Sequence, residues 1–145
     1  MRIISENEIW KGFFSYEDGY SSLTSLKEVK FLINIFIDDF SFKGVAEDEE
    51  SKEYFDKPAT VKGFFENDFI SFVMKYPHLY FLDENNKIVV DKQSKHPDVN
   101  YYGVFDRESK SYKGEWEMIY DVEQLSDGII EEVFSGNWEL KKVNL

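Results

Sequence analysis

The chain has 145 residues and a formal net charge of −12, enough for one ordinary domain spanning 1–145 that buries its own core. It has no cysteine, which excludes a disulfide framework, thiolate chemistry and cysteine-built zinc sites. Its 29 acidic against 17 basic residues argue against nucleic acid or an anionic membrane as partner, since both are gripped by clustered Lys and Arg.

In chain order, the first patterned run is Trp10, Gly12, Phe14 and Tyr16 at alternate positions, as in a strand with one buried face. Residues 29–37 are apolar at nearly every position, with Leu32 and Phe36 facing away from Phe31, Ile33, Ile35 and Ile37. That strand is either covered on both faces or part of a contact surface. Residues 47–56 are strongly acidic and have room for a turn or two of helix, as do residues 122–125. Strands are predicted over 61–65 and 69–75, joined by Glu66-Asn67-Asp68, and over 79–82 and 88–90, joined by Glu84-Asn85-Asn86. Residues 106–110 form the turn between strands over 101–105 and 112–120. A last strand carries Phe134, Gly136, Trp138 and Leu140 on one face. The total is eight to ten short antiparallel strands, and the strong first and last strands are placed to pair and close the sheet.

Six of the eight glycines follow one local pattern, ring-x-Gly-x-ring, at Gly12, Gly44, Gly63, Gly103, Gly114 and Gly136. A ring stands two residues before the glycine in five copies and two residues after it in five, Val61 and Ala46 being the exceptions. Residues two apart in a strand share a face, so the pattern presents large, small, large on one side. Glycine within a strand costs about 0.5–1 kcal/mol relative to alanine. Its repetition therefore requires a compensating role, which sharp coiling under aromatic cover supplies. The expected fold is all-β, a single up-and-down antiparallel barrel, with a two-sheet sandwich as the alternative.

The repeat resembles the calycin group of barrels, the lipocalin-like and avidin-like families. Gly114-Glu-Trp116 and Gly136-Asn-Trp138 match the short Gly-x-Trp element of those families, although here both copies are late, whereas lipocalins carry theirs on the first strand. The resemblance implies a small barrel and transfers no site residue.

Catalytic signatures are sparse. His78 and His96 read as loop residues beside prolines, no metal set or cofactor motif is present, and the inward positions of the best strands carry no charge. A buried acid for general catalysis would have to come from a rim or loop. Two residue sets remain. Glu47, Asp48, Glu49, Glu50, Glu53 and Asp56, with Tyr54 and Phe55 as exposed anchors, suit a docking face for a basic protein. Asp121, Glu123, Asp127, Glu131 and Glu132 extend that field if their loop lies at the same end. Trp10, Phe14, Tyr16, Tyr112, Trp116, Tyr120 and Trp138 would line a cavity for a neutral small ligand, or else pack the barrel solid. The leading expectation is a non-catalytic, cytoplasmic binding module of the immunity-inhibitor kind. A neutral-ligand carrier comes next, and an enzyme using rim carboxylates last.

Overall fold

The structure, a computed structural model, describes residues 5–16, 28–82, 85, 87–125 and 128–143. Its strands are β1 (Ser5–Tyr16), β2 (Glu28–Asp38), β3 (Ser41–Asp48), β4 (Ala59–Glu66), β5 (Phe69–Lys75), β6 (Leu79–Leu82), β7 (Ile88–Asp91), β8 (Val99–Asp106), β9 (Ser111–Leu125) and β10 (Gly128–Lys142). Eight of them close into a barrel in the order β1-β10-β9-β8-β5-β4-β3-β2, while β6 and β7 form a separate hairpin in the β5–β8 connection. The first and last strands do pair, Trp10 opposite Lys142 and Tyr16 opposite Gly136. Closure makes this an up-and-down barrel and excludes the sandwich.

Burial alternates along most of the described barrel positions. In β2, Val29, Phe31, Ile33, Ile35 and Ile37 are buried, Leu32 is half-buried and Phe36 is exposed. Of the helical turns expected in 47–56 and 122–125, the first is met by a single short turn and the second is corrected. Glu47 and Asp48 finish β3, residues 52–54 make one 3-10 turn, and 122–125 continue β9 in pairing with β10. Four residues are too few to nucleate a helix against an existing ladder of strand hydrogen bonds.

The patterned glycines lie where strands approach too closely for a side chain. A Cβ on Gly136 would fall 1.7 Å from the Ser15 carbonyl oxygen, and one on Gly114 would fall 1.9 Å from that of Tyr102. A ring crosses both of these gaps. The Trp116 indole, opposite Gly136, donates to Ser15 O at 2.9 Å. Trp138, opposite Gly114, donates to Glu115 O at 2.9 Å and Tyr102 O at 3.2 Å.

The two barrel ends differ. One is sealed by tight turns, with positive φ at Asp39, Asn67 and Lys110. Glu8 lies at this turn end in the inward register of β1. It is buried, accepting from Trp10 Nε1 at 2.9 Å and pairing with Lys142 at 3.0 Å. The β3–β4 connection, the long β5–β8 connection and the far ends of β9 and β10 all belong to the other end, the loop end. Beyond Met118, β9 pairs with β10 alone among the described strands, so this hairpin runs past the rim.

Candidate functional site: a carboxyl and tyrosine cluster at the loop end

The inward face of β3 reads Phe42, Gly44, Ala46, Asp48, and the same alternation carries one step past the strand to Glu50. Two members of the acidic run thereby turn into the barrel mouth, leaving only 3% of Asp48 and 5% of Glu50 exposed. This corrects the expectation of a uniformly exposed acidic face. Glu47, Glu49, Glu53 and Asp56 do stand in solvent, as does Tyr54. Phe55 is half-buried, packed near Tyr76, Tyr80 and His78 with ring centroids 5.7–6.2 Å apart.

Asp48 has a structural role. Its Oδ1 accepts from Ser51 N at 2.7 Å and Ser51 Oγ at 2.9 Å, capping the turn that leaves β3, and its Oδ2 accepts from Tyr76 Oη at 2.5 Å. Glu50 is held from one side only. Its Oε1 accepts from Tyr16 Oη at 2.7 Å and Tyr80 Oη at 3.1 Å. Its Oε2 is buried and meets no hydrogen-bond partner among the described residues.

Burial dominates the electrostatics. It raises both carboxyls above their ordinary range, against the opposing pull of the hydroxyl donors. It also lifts Tyr16, Tyr76, Tyr80 and Tyr101 well above the usual phenol value, helped by the neighbouring carboxylates, so all four remain neutral. His96 is buried, with Nδ1 2.8 Å from the Pro97 carbonyl oxygen and its ring 5.0 Å from Tyr80 and 4.8 Å from Tyr76. Burial lowers its pKa and favours the neutral imidazole. A hollow of about 200 Å³ opens beside this cluster, lined among others by Ala46, Ser51, Phe55, Pro58, Ala59 and Tyr76.

The rings expected to line a cavity pack against one another in three groups along the barrel. Trp10 and Tyr112 contact each other at the turn end, 5.4 Å apart. Trp138 packs mid-barrel edge-on against Phe72 and Tyr101, themselves stacked at 4.6 Å. Phe14, Tyr16 and Trp116 meet nearer the loop end, at 5.4–6.1 Å. The Tyr120 side chain lies outside the described residues.

Sequence pattern alone does not place Ser51, Tyr76, Tyr80 or His96 in this cluster. Extending the alternation of β3 by two steps would have found Asp48 and Glu50. No local signal points to Tyr16, Tyr76 and Tyr80, which lie 28 to 34 residues from their carboxyls. Among the described residues, no three His, Cys, Asp or Glu side chains converge as a metal set would require. No protein-family model, curated protein or solved structure matches the chain.

Proposed function

We propose that this chain is a non-catalytic binding protein that receives a basic protein partner at its loop end, in the manner of an acidic, immunity-type inhibitor. The observation that carries this reading is topological. The β3–β4 connection, with exposed Glu47, Glu49, Glu53 and Asp56, shares one barrel end with the β9–β10 tips, whose sequence holds Asp121, Glu123, Glu131 and Glu132. Negative charge concentrated at one end of a protein of net charge −12 speeds the encounter with a cationic partner and orients it. The interior supports this reading over a carrier of neutral ligands, because the candidate lining rings are engaged with one another. A calycin-like ancestry and a cytoplasmic setting belong to the same proposal. The closed antiparallel barrel with its Gly-x-Trp elements supports the first.

An enzyme acting through rim carboxylates is the second reading, favoured by the burial that raises Asp48 and Glu50. Against it, protein donors occupy both oxygens of Asp48 and one of Glu50.

Fluorescence anisotropy with labelled polylysine, read across salt concentrations, tests the primary reading. Neutralising Glu47, Glu49, Glu53 and Asp56 to their amides is expected to weaken binding and flatten its salt dependence. A control neutralises Asp38, Asp39, Glu66 and Glu108 at the turn end, all exposed, and is expected to do much less. Equal effects from the two sets would show attraction to net charge alone, and the docking end would be wrong.

A further inference from the structure

We propose that Glu50 and the tyrosines around it form a socket for a single alkylammonium group, the side chain of a lysine presented by the partner. This rests on the reading of the loop end as a docking site for a basic protein.

Three features of the cluster converge on that ligand. The first is the orphaned oxygen. Glu50 is 95% buried by its 5% exposure, yet its Oε2 meets no donor among the described residues, while Oε1 accepts two. Buried carboxylate oxygens rarely go without a donor, and an exception asks for a partner from outside the chain. The second is the surrounding surface. The Tyr16 and Tyr80 rings carry the phenols that hold Oε1, and Phe55, Tyr76 and His96 pack against Tyr80 at centroid distances of 5.0–5.7 Å. Aromatic walls around a carboxylate favour an organic cation through their ring quadrupoles. The third is the absence of a competing charge. Among the described residues no lysine or arginine forms an ion pair with Asp48 or Glu50, and burial keeps His96 neutral.

The geometry also selects among cations. A guanidinium prefers to fork onto both oxygens of a carboxylate, and Oε1 already holds two hydroxyls. A compact ammonium needs only one oxygen and brings several donors of its own. A divalent metal would need several converging ligands, which the described residues do not supply. The hollow of about 200 Å³ reaches Ser51, the residue after Glu50, and Tyr76, giving space beside the cluster for an approaching alkyl chain.

The test titrates the full chain with n-butylammonium, acetyl-Gly-Lys-Gly-amide and its arginine counterpart, by isothermal calorimetry with tyrosine ring shifts followed by NMR. Saturable 1:1 binding of an ammonium is expected. Glu50→Gln should weaken it at least tenfold, Tyr80→Phe less, and Glu53→Gln hardly at all. Near-UV circular dichroism confirms that each variant keeps its packing. Tighter binding of the lysine peptide than of butylammonium identifies a partner's side chain as the source, and the reverse order identifies a free amine. Two results would overturn the socket: no saturable ammonium binding by the wild type, or equal binding by Glu50→Gln in its native fold. A socket that fails while polylysine still distinguishes the two barrel ends leaves the docking face standing. Loss of that distinction with ammonium binding intact removes the docking face instead.

Discussion

The Trp116 indole spans the backbone gap at Gly136. Its Nε1 lies 2.7 Å from where a Cβ on that glycine would stand, and it donates to the Ser15 carbonyl beyond. Three strands meet at this point: β9 supplies the ring, β10 the gap and β1 the acceptor. The glycine is therefore a contact site for an aromatic ring and a neighbouring backbone, and its place in the repeat follows from that contact.

Gly136→Ala should accordingly be among the most damaging single-methyl changes in the barrel. The new carbon meets main-chain oxygen, which cannot step aside as a flexible side chain would. A loss of about 2–4 kcal/mol is expected from overpacking and the displaced indole hydrogen bond. Asn137→Ala, one residue on and exposed, should stay within about 0.5 kcal/mol. Urea denaturation of the two variants provides the comparison.

Tyr76→Phe removes the hydroxyl that donates to Asp48 Oδ2 while keeping the ring. The stranded buried oxygen is expected to cost about 1–3 kcal/mol. Tyr54→Phe, at an exposed ring of the same region, should be near neutral in the same thermal melts.

Glu50 gives a pH dependence of definite sign. Its folded pKa is raised by burial, so the folded chain holds its proton to higher pH than the unfolded chain does. The associated stability is complete below the unfolded value near 4.5 and is lost as pH rises through the folded value. Glu50→Gln should therefore gain stability over the wild type as pH climbs from 4.5 to neutrality. Denaturation midpoints measured at half-unit intervals would reveal that divergence, and parallel profiles would refute it.

His96 works in the opposite sense. Burial lowers its folded pKa, so below the ordinary value of 6.5 the unfolded chain takes up the proton first. Its contribution is complete above 6.5 and is lost as pH falls through the folded value. Relative to the wild type, His96→Gln should lose its stability disadvantage, or turn it into an advantage, on acidification below 6.5.

Most of the barrel was legible from local pattern. Alternation along β9 and β10 identified both strands and their buried faces, because a period of two needs no knowledge of distant chain. The turns at Asn67 and 107–110 were equally readable from their residue types. The acidic run was harder. It reads as a solvated stretch because charge density suggests exposure, yet Asp48 and Glu50 keep the phase that Phe42 began. Glu8 does the same at the other end, two residues before Trp10.

By itself, the sequence determined an antiparallel barrel with glycine gaps beneath rings, since steric size and the two-residue period act over a few neighbouring positions. Only the tertiary structure decided what the buried acids meet. Closing eight strands brings Tyr16, Tyr76 and Tyr80 from three separate segments onto two carboxyls, and hydroxyl donors make their burial tolerable. It also decided that the β9–β10 hairpin and the 47–56 connection share one end, a consequence of strand direction around the barrel that no local pattern encodes.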